Sequence, residues 1–412
     1  MDTLTRRKFL LASGVVAGGA IAAGATAYTL ADVLATGGDR PADAGTLVLV
    51  TLYGGNDGLA TVVPYADPAY HDARPELAYE AEKVLRIDDA TGLNPGLTGL
   101  RRLFGEGRVA IVRGVGYPKP DRSHFRSMDI WQTAQPARPG NTGWLGRWLD
   151  TAGGDPRLAV SFEPVLPPVL AGATGAGAAV PVTGLELPRA VPAATLAVLG
   201  RPAPGEPVLQ AHAAAAFADL VAVDEMVRSV AAGALEVTAD EADELPQATG
   251  TGGRAALDAQ LGLVAQCIEA GVATRVFSVS LGGFDLHADE KQPQESLLRA
   301  LDRSLVSFVD KIGRTSAGQG VVVAVYSEFG RRVRANASDG TDHGTASDMF
   351  LIGAGVRGGL YGPPPNLRDL DNGDLKYTTD FRDVYAALLQ GVLGTDPARI
   401  LDGWTGRLTG PI

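Results

Sequence analysis

The chain has 412 residues, 45% of them hydrophobic, which is enough for a sizeable core and argues against overall disorder. Its net charge of -11 leaves no basic excess to neutralise phosphates, so nucleic acid is excluded as a default partner. Cys267 is the single cysteine, so no internal disulfide can form.

The chain opens with "MDTLTRRKFLLASGVVAGGAIAAGATAYTLADVLATGG". Arg6 and Arg7 stand before Phe9 and Leu10, and a Gly/Ala-rich apolar run follows. Residues 1–35 read as a twin-arginine export signal, too weakly hydrophobic for a spanning helix, with cleavage expected after Ala27 or Ala35. The reading implies engagement of the twin-arginine export machinery and a final location in the cell envelope or outside the cell. Residues 36–45 read as a polar linker, and 46–412 as one domain.

Within that domain "TLVLVTLYGG" reads as a first buried strand and "RVAIVRGVGY" as a second. "SHFRSMDIWQTA" is helical in pattern. Residues from about 150 to 250 are rich in Ala, Pro and Gly and read as an insertion, partly cap and partly loops. His212 lies in its Ala-rich helix. A helix near 255–271, which carries Cys267 as a core residue, leads to a third strand, "TRVFSVSLGG". "QESLLRALDRSLVSFVDKIG" has helical spacing, "GVVVAVYSEFG" is a fourth strand, and "DMFLIGAGV" a fifth. "TTDFRDVYAALLQGVLG" closes the series as a helix with Thr379 as N-cap. Strands alternating with helices predict an α/β fold, a three-layer sandwich around a mostly parallel sheet.

Ligands of open α/β sheets collect beyond the carboxyl ends of the strands. Three of the predicted strands end there in polar clusters. The first gives "GGNDG" with Asp57, and the third gives "GGFDLH" with Asp285 and His287. The fourth gives "SEFGRR" with Glu328, and its loop supplies Asp342 and His343 in "TDHG". Carboxylates and neutral imidazoles on one rim make a mixed oxygen/nitrogen site for a divalent metal: zinc, manganese, magnesium or calcium. Two such ions would clamp a phosphate or sulfate ester, with Arg331 and Arg332 facing the anion. Ser123 and His124 are expected at a helix N-terminus, where an oxygen nucleophile or an anion is favoured, so Ser123 is the candidate nucleophile.

Taken in order, "LVLVTLYGGNDGLATVVPYADPAYHDARPELA", "SHFRSMDIWQTA", "GGFDLH", "SEFGRRVRANASDGTDHG" and "GAGVRGGLYG" resemble the domain of unknown function 1501 family of exported bacterial proteins, within the alkaline phosphatase and sulfatase superfamily. The resemblance covers the chain after the signal and implies an alkaline phosphatase-like sandwich. It further implies metal-assisted hydrolysis of phosphate or sulfate esters. Asp57, Asp285, His287, Glu328 and His343 would then be ligands, with Asp342 a ligand or an orienter. Two departures stand out. Asp285 and His287 are closer than the superfamily's Asp–His pair, and Phe329 occupies the place of a His. A sulfatase-type Cys/Ser-x-Pro-x-Arg signature is absent. The alternative is a non-catalytic envelope protein on the same fold, binding a glycan or an exported protein partner.

Overall fold

Alternation along one strand sets the layers. The computed structural model describes residues 30–38, 44–138, 140–163, 166–180 and 254–412. The arginine pair, His212 and most of the predicted insertion lie outside these residues; the described part, expected as cap and loops, instead adds two short strands, Ala159–Ser161 and Ala178–Ala179, to the main sheet. In β1 (Thr46–Leu52) every residue is buried. Val48, Val50 and Leu52 point into one core, while Leu47 and Leu49 point into a second. The two-residue period therefore requires cover on both faces. The first core is roofed by α2 (Thr98–Gly105), α5 (Arg254–Glu269) and α6 (Lys291–Ile312). The second is roofed by α3 (His124–Thr133), α4 (Trp144–Thr151) and α7 (Phe381–Gly391). The result is the expected three-layer α/β sandwich.

The remaining strands of the main sheet are β2 (Val109–Gly116), β3 (Ala159–Ser161), β4 (Ala178–Ala179), β5 (Val276–Leu281), β6 (Val321–Ser327), β7 (Ser347–Ile352), β8 (Gly359–Tyr361) and β9 (Thr379–Asp380). Their order is β8-β2-β7-β6-β1-β5-β3-β4, with β9 also on β2. β1 is parallel to both β5 and β6. Only β7 runs antiparallel to its neighbours, β2 and β6. Its apolar run reads like any buried strand, but the connection from Ser327 to Ser347 contains no helix, and a parallel return needs a crossover. The loop therefore leaves and re-enters the sheet on one rim, which puts Glu328 and His343 on the same side.

Two boundaries differ from expectation. Asp380, not Thr379, caps α7, accepting from Arg382 N–H at 3.0 Å. Thr379 is tied up in β9, and its hydroxyl donates to the Arg113 carbonyl. At the other end, α1 (Leu30–Leu34) sends Leu30 and Val33 into the first core. Thr36 follows on, donating to the Val33 carbonyl and accepting from Ala273 N–H. The folded body therefore includes residues assigned by sequence to signal and linker. Among the described residues, no helix is long and apolar enough to cross a membrane.

Candidate metal centre

The site is assembled from the exits of β1, β5 and β6, the return loop before β7, and the start of α3. Close backbone approach makes this possible. Gly54 and Gly55 follow β1 with φ of 114° and 72°. A Cβ on Gly54 would stand 2.5 Å from Asp285 N, and one on Gly55 2.2 Å from the Phe329 ring. Both positions need glycine on conformational and steric grounds.

Three predicted site residues are occupied elsewhere. Asp57 is buried and pairs through both carboxylate oxygens with Arg74, which is equally buried. It also caps the short helix Gly58–Thr61 through Leu59 N–H. Its carboxylate is thus already neutralised and does not join the other predicted ligands. Arg331 does not face an anion. It is 2% exposed, and its guanidinium donates to the carbonyls of Gly54, Gly55, Phe284 and Thr341 and to Asp285 Oδ1. It is a brace tying the exits of β1, β5 and β6 together. Arg332 likewise turns away, to Asp374 and the Asn372 carbonyl.

The others converge, joined by a residue that sequence reasoning placed only at a helix start. Ligand atoms of His124, Asp285 and His343 all lie within 4.8 Å of one another. His343 Nε2 is 3.1 Å from His124 Nε2, 3.0 Å from His287 Nε2 and 3.0 Å from Asp285 Oδ1. Asp285 Oδ1 is also 2.9 Å from His287 Nε2. Glu328 stands behind this set, with Oε1 2.8 Å from His124 Nδ1. Asp342 Oδ1 lies 3.6 Å from His287 Nδ1. Phe329, in place of a ligand, is a buried ring packed 4.9 Å from both the His124 and His343 rings.

The tautomers follow from the outer partners. His343 Nδ1 faces the Arg122 carbonyl at 2.8 Å; a carbonyl only accepts, so Nδ1 carries the proton. His124 Nδ1 faces the Glu328 carboxylate, which also accepts from Gly54 N–H, so Nδ1 is again the donor. Both Nε2 atoms therefore present lone pairs to each other across 3.1 Å. Either a proton on one of the two Nε2 atoms or a cation shared between them would relieve this contact. A tetrahedral ion with bonds of about 2.05 Å needs ligand atoms about 3.3 Å apart, close to the spacings seen here. Imidazoles oriented through Nδ1 by a carboxylate or carbonyl are the usual outer arrangement of a metal centre.

Burial would raise the Asp285 pKa, but the Arg331 and His343 hydrogen bonds and the Arg331 charge hold it well below the usual carboxylate range. His124 is raised, chiefly by its hydrogen bond to Glu328. In metal-free protein that pairing adds stability in full below about pH 6.5, the unfolded value, and loses it as pH rises through the folded value. Metal loading runs the opposite way, since it needs neutral imidazole. Glu328→Gln is expected to lower the His124 midpoint in an NMR titration of metal-free protein. An unmoved midpoint would show that Glu328 does not set it.

Ser123 is exposed at the N-cap of α3, and its hydroxyl makes no capping bond. It adjoins His124 in sequence, at the edge of the centre. His71 is remote from the cluster, its Nε2 2.8 Å from the Tyr65 carbonyl.

A family model described as "Protein of unknown function (DUF1501)" matches residues 116–411. No curated protein matches the sequence. Among solved structures, a protein in the alkaline phosphatase superfamily from Vibrio parahaemolyticus is similar at 12% identity and TM-score 0.43, covering 100% of this chain and 79% of that one. A phosphonate monoester hydrolase from Silicibacter pomeroyi is similar at 12% identity and TM-score 0.39, covering 88% and 76%. The lipoteichoic acid synthase LtaP from Listeria monocytogenes is similar at 10% identity and TM-score 0.39, covering 93% and 84%.

Proposed function

The chain belongs to the DUF1501 family, and we propose that this member is an exported, metal-dependent hydrolase of phosphate or sulfate esters built around one ion. The observation that carries the reading is the convergence of ligand atoms of His124, Asp285 and His343 within 4.8 Å of one another, with His287 Nε2 3.0 Å from His343 Nε2. The donor set favours zinc over magnesium or calcium, which prefer all-oxygen shells. When bound, such an ion supplies Lewis acidity toward an ester oxygen and a means of activating water near neutral pH.

The protein residues have separable tasks. Glu328 and the Arg122 carbonyl hold His124 and His343 with Nε2 inward. Arg331 keeps Asp285 charged and in place. Asp285 and His287 are nearly half exposed, so one side of the centre stays open to an anionic ester. Ser123, at the N-terminus of α3, is the oxygen nucleophile available if the reaction passes through a covalent ester. Arg74 takes the place of a second cation on Asp57, which supports one ion rather than two. Export by the twin-arginine route would carry the protein with its ion already bound. Cleavage after Ala27 would leave Leu30 and Val33 to fill the core.

The zinc-loaded chain is expected to hydrolyse members of a panel of generic phosphate mono- and diesters and sulfate esters, and to lose that activity on chelation. Ser123→Ala separates the two routes: a loss of about 100-fold or more supports a covalent step, and a small change supports direct attack by water. A loaded protein that hydrolyses nothing would refute the esterase reading and leave a binding protein.

A further inference from the structure

Beside the metal centre lie two cavities that share a wall. One, of about 480 Å³, is lined by Tyr117, Lys119, Phe329 and Thr345, and ends at Leu375, Lys376 and Tyr377. The other, of about 620 Å³, begins at those same three residues and runs to Gly58, Ser347, Asp348 and the Pro363–Pro365 turn. Phe329, whose ring touches His124 and His343, connects the first cavity to the metal centre.

The far cavity has an unusual charge balance. Arg368 is held by Asp67 at 2.9 Å, and Lys376 by Asp369, so these charges cancel. Asp348 has no cation within ion-pair distance among the described residues. Its one hydrogen bond is a weak 3.4 Å contact from Gly114 N–H. It sits where the β7–β2 ladder slips between Ser347 and Met349, opposite Gly114 at φ 60°. Irregularities of this kind re-aim side chains next to functional sites. The neighbouring Ser347 is 7% exposed, and its hydroxyl has no partner. A Cβ built on Gly58 would stand 2.9 Å from Ser347 Oγ and 3.6 Å from Asp348 Oδ2, so the Gly58 backbone packs close to both oxygens and any side chain there would crowd them. Burial pushes the Asp348 pKa up to about 7, with the Asp57 charge adding to the rise and the Gly114 N–H and the more distant Arg113 charge opposing it.

We propose that this cavity is a subsite for a primary ammonium group, held by Asp348 and Ser347 with its carbon frame against Tyr377 and the proline turn. An ammonium brings one positive charge and three N–H donors, matching an unpaired carboxylate beside an unpartnered hydroxyl. A metal is the poorer match, because no second trio of His, Cys, Asp or Glu ligand atoms converges among the described residues. If the proposed function holds, the substrate of the esterase carries an ammonium group as well as its ester.

The test is ligand-observed NMR titration of the full chain with glucosamine, ethanolamine and N-acetylglucosamine, the last having the same ring without the charge. Glucosamine is expected to bind, and N-acetylglucosamine to bind at least about tenfold more weakly, the scale of one lost charge-assisted contact. Ethanolamine binding as tightly as glucosamine would place recognition in the ammonium alone; weaker binding would add the ring, and both results support the subsite. Asp348→Asn and Gly58→Ala should each weaken glucosamine binding about tenfold while metal content stays at the wild-type level. No glucosamine binding, or equal binding by Asp348→Asn with metal content intact, overturns the proposal. These measurements need no turnover, so a failed esterase assay leaves them standing, and their failure leaves the metal centre untouched.

Discussion

Asp57→Asn is expected to lower folding stability by about 3–5 kcal/mol while leaving metal content unchanged. The Asp57 and Arg74 side chains are each 1% exposed, and the carboxylate meets the guanidinium through both oxygens. Asn retains the shape and can still cap the helix through Leu59 N–H, so the variant removes charge and little else. Arg74 then loses its directly paired anion, keeping its bonds to the carbonyls of Val333 and Arg332 and the more distant charge of Glu290. Removing one partner of a buried pair costs more than replacing both. Denaturant unfolding of Asp57→Asn, Arg74→Met and the double variant measures this, and the double variant should cost less than the two singles added together. Reduced metal content in Asp57→Asn with stability intact would return Asp57 to the ligand set.

The strands were legible because β1, β2, β5, β6 and β7 are apolar runs of strand length bounded by polar turns. The direction of β7 was not, since an apolar run carries no arrow; the missing helix between Ser327 and Ser347 was the available clue. Asp285, His287, Glu328, Asp342 and His343 were legible as a group because they stand at strand ends or on one return loop. Asp57 shares that position, but its partner Arg74 follows a separate short helix, and nothing in "NDG" announces a buried guanidinium. Arg331 misled for a related reason. Two arginines after a strand look like anion binders, and only the structure shows that the carbonyls of Gly54, Gly55, Phe284 and Thr341 claim the first. His124 was hardest to place. It follows β2, which is separated from β6 by β7, so sequence spacing could not bring it to Glu328. The one signal was rarity, since the chain has five histidines and three of them meet here.

His343→Ala is expected to produce the largest functional loss. Its Nε2 is shared by contacts to His124, His287 and Asp285, so its removal takes the central donor from the set. Loss of an outer partner of a metal ligand typically costs roughly 10–100-fold in affinity, and loss of a ligand should exceed that. The ring is partly exposed at a loop, so folding stability should fall far less than in Asp57→Asn. The direct measurement is the metal-to-protein ratio, by mass spectrometry, of folded wild type and His343→Ala after zinc loading and dialysis. The structure predicts one ion per wild-type chain and almost none in the variant. A wild-type chain that retains no ion, or a His343→Ala chain that retains its full complement, would contradict a metal centre at this rim.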